Sequence, residues 1–217
     1  MKRIGALVIG QSPRSDLVDP LRISLPHLEI CECGALDRFT TAGALEKQEY
    51  HYPLSTRLRD GSYVIVEEAD VAARLQGSLN RLEANDAAAS ILLCAAPFSS
   101  LKGTRPLIKP FTAAVSLLRS LGLQQLLIVC PFADQHDASF QKWTTAGFSV
   151  EVLTDPGDPM LTSEMTAALQ RSPQAQAVVL DYVGYPEHRA KQLQQSCRLP
   201  VMDLGMLSIT MLTALYA

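Results

Sequence analysis

At 217 residues and a formal net charge of -3, the chain can form one domain or two small ones, and its charge predicts neither nucleic acid nor an anionic membrane as partner. Hydrophobic residues make up 47% of it and charged residues 19%, a globular composition that argues against intrinsic disorder. No stretch reaches the roughly 18 uninterrupted apolar residues of a membrane span. Five cysteines argue against a disulfide framework, and no signal-peptide cleavage pattern follows Met1-Lys2-Arg3, so a cytoplasmic setting is expected.

Ile4 to Ile9 is an apolar run ending at Gly10, the pattern of a buried parallel strand. After the loop Gln11-Ser12-Pro13-Arg14, Ser15 is the expected N-cap of a helix through Leu25. His27 to Cys33 reads as a second strand, and a short helix is expected over Ala44 to Lys47. Leu54 to Leu58 and Tyr63 to Val66 flank Arg59-Asp60-Gly61-Ser62, a hairpin signal. Val71, Leu75, Leu79 and Leu82 recur at helical spacing within a helix over Ala69 to Asn85. An apolar run then delivers Cys94 to a loop that extends through Thr104-Arg105-Pro106.

Pro110 starts the next helix and Gly122 stops it. Gln124 to Cys130 is a buried strand, Asp134 to Ala146 a helix, Phe148 to Leu153 a strand and 155–159 a turn. Thr162 is the expected cap of a helix to Arg171. Ala175 to Leu180 is a strand running into Asp181-Tyr182-Val183-Gly184-Tyr185. Pro186 to Cys197 is a helix, Val201-Met202 a short strand, and an apolar helix from Leu207 suits either the core or a homodimer seam. About eight strands alternating with helices predict parallel sheets covered by helices, in two similar α/β halves with a cleft between them.

In open α/β sheets, ligands bind beyond the carboxyl ends of the strands. Four loops follow buried strands: Gln11 to Arg14, Cys94 to Ser100, Pro131 to Gln135, and Asp181 to Tyr185. The first offers backbone N–H groups and a guanidinium, suited to a carboxylate or phosphate. Cys94 is reactive if a neighbouring cation or helix N-terminus favours its thiolate, and inert if buried. Arg57 and Arg59 alternate onto one side of an extended segment, where they either hold an anion or form surface ion pairs. Cys130 precedes Pro131 and reads as core, as do Cys31, Cys33 and Cys197. Cys31-Glu32-Cys33 lacks a second pair at zinc-like spacing, so no metal is expected. No Walker loop, dinucleotide fingerprint or Ser-His-Asp arrangement stands out, so no cofactor is expected.

Ile9-Gly10-Gln11-Ser12-Pro13-Arg14-Ser15-Asp16, Gly34-Ala35-Leu36-Asp37, Thr56-Arg57-Leu58-Arg59-Asp60-Gly61, Leu92-Leu93-Cys94, Gln141-Lys142-Trp143 and Leu180-Asp181-Tyr182-Val183-Gly184-Tyr185 together make the chain resemble the AroM family, within the aspartate/glutamate racemase superfamily. The resemblance implies two pseudosymmetric Rossmann-like α/β/α domains, with residues 1–108 plus 200–217 forming the first and 109–199 the second. In that superfamily each domain supplies a cysteine after a strand, and the pair racemises amino acids without a cofactor. Related members isomerise, or decarboxylate with a single cysteine. Two departures bear on mechanism. An acidic position of the family is Pro97 here, and Tyr182 stands where the second thiol is expected.

One-base chemistry on a small carboxylate is therefore expected, from an isomerase- or lyase-like enzyme with Cys94, Asp181 and Tyr182 as catalytic residues. Gln11, Ser12, Pro13, Arg14, Arg57, Ala95, Gln135, Gly184 and Tyr185 form the expected binding set. The competing reading is a small-carboxylate binding protein or sensor that keeps the cleft and has lost the chemistry.

Overall fold

The computed structural model describes residues 1–39, 49–155 and 161–216. The expected helix over 44–47 and most of the turn over 155–159 lie outside them. The chain divides into two compact units, Met1–Pro110 with Ser208–Ala217, and Phe111–Leu207. No helix among the described residues is long and apolar enough to cross a membrane.

In the first unit, β1 (Lys2–Val8) lies between β2 (Leu28–Gly34) and β5 (Ala87–Leu92), and β6 (Leu107–Ile108) pairs with β5. Every pairing in this four-stranded sheet is parallel. A separate antiparallel hairpin joins β3 (Pro53–Arg57) to β4 (Tyr63–Glu67). The helices are α1 (Ser15–Ser24) and α2 (Glu68–Ala84). The apolar stripe of α2 packs Val71, Leu75, Leu79 and Leu82 against Leu7, Leu92, Phe98 and Leu101. Full burial of such side chains stabilises by about 1.5–3 kcal/mol each.

The second unit repeats the plan. β7 (Gln125–Cys130) lies between β8 (Ser149–Thr154) and β9 (Ala177–Leu180), and β10 (Val201–Asp203) pairs with β9. These pairings are also parallel, so each sheet runs second, first, third, fourth strand in the order of its own unit. Around it are α3 (Pro110–Ser120), α4 (His136–Thr145), α5 (Leu161–Arg171) and α6 (Glu187–Ser196). The last helix, α7 (Leu204–Tyr216), starts here and ends in the first unit.

Local details depart from the sequence reading for identifiable reasons. Ser15 is the first helical residue of α1 and not its cap. Arg14 occupies that position, its carbonyl accepting from the N–H groups of Leu17 and Val18. β6 went unrecognised because two residues carry no periodicity. Return to the first unit comes at Ser208 and not at 200, since Val201–Asp203 completes the second sheet. Asp203 then caps α7, its carboxylate accepting the Met206 N–H at 2.9 Å. At the far end, Tyr216 donates its hydroxyl to Ala88 O at 3.2 Å within the first unit.

Candidate functional site

Because β1, β2 and β5 are parallel, their carboxyl ends share one edge, where the loops after Val8, Gly34 and Leu92 emerge. Close backbone approach holds the first two loops together. A Cβ placed on Gly10 would lie 2.5 Å from Arg57 O and 2.5 Å from Thr56 Oγ1. One placed on Gly34 would lie 2.6 Å from Gly10 O and 2.8 Å from Ser12 N. Backbone cannot yield as a flexible side chain does, so Gly10→Ala is expected to cost about 1–3 kcal/mol. An unchanged denaturation midpoint for that variant would refute this account of the loop.

Most polar groups of the expected binding loop bond within the protein. Gln11 is buried, donates to Leu36 O at 3.2 Å and Phe39 O at 2.7 Å, and accepts the Arg59 N–H at 2.8 Å. Ser12 donates its N–H to Asp37 Oδ1 at 2.7 Å and its hydroxyl to the same carboxylate, whose other oxygen accepts the Gly34 N–H at 2.8 Å. Arg59 donates to Ser12 O at 2.7 Å and Asp37 at 3.4 Å. Arg14 is only 7% exposed and forms a fork to Asp16, Nε to Oδ1 at 2.8 Å and Nη2 to Oδ2 at 2.7 Å. The bond to Arg14 holds the Asp16 carboxyl below its usual range, with the Arg57 charge adding to the effect. Arg14, expected to hold a substrate carboxylate, thus already holds one of the protein's own. Arg57 differs: its Nε is buried with no hydrogen-bond partner among the described residues.

Cys94 lies two residues beyond β5, half-buried, and its Sγ accepts the Ala96 N–H at 3.5 Å. Ala95 and Ala96 are buried behind it. Phe98 is fully buried at φ +40°, in the left-handed region that bulky side chains avoid. Lys109 secures this bend by donating to Phe98 O at 3.1 Å and Leu101 O at 3.3 Å. Strained backbone of this kind persists where surrounding contacts over-determine it, often at functional loops.

The parallel strands of the second unit likewise bring the ends of β7, β8 and β9 to one edge. Asp181 follows β9 directly, and its side chain is fully buried. Lys142 Nζ lies 2.7 Å from Oδ1, and Ser139 donates to Oδ2 at 2.7 Å. The expected proton carrier is therefore enclosed by two groups from α4. Tyr182 stacks edge-on with Phe132 at 6.3 Å and with Tyr185 at 5.8 Å between centroids. These rings line a cavity of about 210 Å³ with Gly184, Asp155 and Arg189. Asp155 and Arg189 pair at 2.8 Å. Burial, then the Asp155 charge, pushes the Tyr185 phenol well above its ordinary range, so it stays protonated. Gln135 sits in a short 3-10 turn, Ala133–Gln135, before α4. Cys130 is buried, its thiol pushed up by burial, in agreement with a packing role.

Sequence reasoning missed Lys109, Asp37 and Ser139. The last leaves a readable trace, since Ser139 and Lys142 lie one helical turn apart beside the buried Trp143. No group of three His, Cys, Asp or Glu side chains suited to a metal ion occurs among the described residues.

Comparison with known proteins matches this architecture. The chain is similar to arylmalonate decarboxylase (15% identity, TM-score 0.68, covering 99% of this chain and 92% of that one). It is also similar to the maleate isomerase Iso from Pseudomonas putida S16 (17%, TM-score 0.59, 99% and 92%) and to an aspartate racemase homologue from Pyrococcus horikoshii OT3 (14%, TM-score 0.61, 99% and 99%). At these identities the likeness shows the fold. No curated protein sequence matches the chain. The family model described as AroM protein matches residues 4–216, nearly the whole length, and the chain belongs to the AroM family.

Proposed function

We propose that this protein is a cofactor-independent isomerase- or lyase-like enzyme acting on a small carboxylic acid, with Cys94 as its proton-carrying thiol. The observation that carries the reading is the situation of Cys94: past the end of an inner strand, half-buried, with a backbone N–H directed at its sulfur. Proteins of the same fold are named as a racemase homologue, an isomerase and a decarboxylase. The thiolate takes a proton from the carbon next to the carboxylate, or the thiol delivers one to the carbanion left by carbon dioxide. Arg57 is the guanidinium we assign to the substrate carboxylate, since Arg14 is engaged by Asp16.

A binding protein without turnover is the second reading. It is favoured by the enclosure of Asp181 and by a tyrosine in place of a second thiol. One experiment separates them. A thermal-shift screen of small carboxylic acids identifies a ligand through its stabilisation of the native state. Iodoacetamide labelling at neutral pH, mapped to individual cysteines, then reports on Cys94. Rapid labelling of Cys94, suppressed by the stabilising acid, is the result expected for the enzyme. An inert Cys94 beside a clear thermal shift supports the binder. Arg57→Gln is expected to weaken the carboxylic-acid shift at least tenfold in ligand concentration, and an unchanged titration removes Arg57 from the site.

A further inference from the structure

Glu29, Cys31 and Cys33 alternate onto one face of β2, an edge strand of the first sheet. The two thiols line a cavity of about 280 Å³ together with Arg3, Glu32, Arg81, Leu82 and Asn85. Both are half-buried and neither forms a disulfide. Arg81 donates from Nη2 to Cys33 Sγ at 3.3 Å and to Ser78 Oγ at 2.9 Å, which fixes the guanidinium beside the sulfur. Arg3 is held on the same cavity by Glu29 at 3.0 Å and Asn85 O at 3.3 Å. Cys31 has a different neighbour, Glu29 Oε1 at 3.9 Å. Burial, and then the Glu29 charge, pushes its thiol up and keeps it protonated.

We propose that Cys33 is a thiol-exchange site that accepts a small disulfide bearing carboxylates, with Arg81 and Arg3 receiving the anionic end. A thiolate, not a thiol, attacks disulfides. The Cys33 thiolate attacks one sulfur of the small disulfide. A new sulfur–sulfur bond forms to Cys33, the old one breaks, and the displaced thiolate takes a proton from water. No net oxidation occurs, so the incoming disulfide is the sole co-reactant. The Arg81 guanidinium, fixed on Cys33 Sγ and Ser78 Oγ, selects an anionic tail, and Arg3 lies on the same cavity paired with Glu29. Cys31, lying against Glu29, remains a thiol. This reaction is independent of the Cys94 chemistry and of any substrate of the enzyme.

The test incubates the native full chain at neutral pH with oxidised glutathione, which is anionic, or with cystamine, which is cationic, and maps adducts by peptide mass spectrometry. A glutathionyl adduct on the Cys33 peptide is expected, reversed by dithiothreitol and forming about tenfold faster than the cystamine adduct. Arg81→Gln is expected to erase that preference, while Cys33→Ser removes the adduct. Equal rates with the two disulfides, or adducts confined to Cys94 or Cys31, overturn the proposal. The wild-type comparison reads the outcome even if a variant folds poorly.

Discussion

Replacing Lys142 with methionine is expected to destabilise the second unit by about 3–5 kcal/mol, the range for removing one partner of a buried ion pair. Lys142 is 5% exposed at its side chain and Asp181 fully buried, so neither charge has water to fall back on. Ser139 satisfies one oxygen of the carboxylate and leaves the charge uncompensated. Asp181→Leu removes the counter-charge of the ammonium, a loss that the face of the Phe111 ring, 5.3 Å away, softens. The double variant Lys142→Met/Asp181→Leu is expected to recover much of the stability, because both desolvation penalties vanish together. Urea unfolding of the two single variants and the double variant closes the cycle. If each single variant unfolds within 1 kcal/mol of the parent chain, the pair is not the anchor described above. Because Asp181 leads directly into the Tyr182–Tyr185 loop, the single variants should also disturb the aromatic cavity.

Cys94→Ala is expected to lower turnover by about 10²–10⁴-fold once a substrate is identified, the usual contribution of a positioned acid/base group, while leaving unfolding nearly unchanged. The side chain lost is small and half-buried, so the stability change should stay near or below 1 kcal/mol. Tyr182→Phe keeps the ring contacts with Phe132 and Tyr185 and removes only the hydroxyl. It should therefore leave unfolding nearly unchanged. Measured kcat with a folded Cys94→Ala protein is decisive: full activity would remove the thiol from the mechanism, whatever its exposure.

Strand and helix positions were largely legible, since β1, α2, β5, β7 and β9 rest on local apolar periodicity. The two-residue β6 was not, and neither was the cap of α1, where the position expected of Ser15 falls to Arg14. The loops of interest were legible too, because each follows a buried strand. The bonding of their side chains was not. Arg14 and Asp16 are two residues apart, yet only the fold shows that the guanidinium is buried and forked onto that carboxylate. Cys31 and Cys33 read as structural in sequence, whereas the cavity and Arg81 give Cys33 a chemical setting.

The sequence alone determined an α/β chain with parallel strands, its resemblance to the AroM family, and the position of Cys94 after a strand. These follow from periodicity and residue identity, which are local. Tertiary structure alone decided that Asp181 is locked between Lys142 and Ser139, that Gln11 and Ser12 brace a loop, and that Arg57 Nε has no hydrogen-bond partner among the described residues. The worth of a charged group depends on burial and on its counter-charge. Asp181 lies 39 positions from Lys142 in the sequence, and only folding brings them to 2.7 Å.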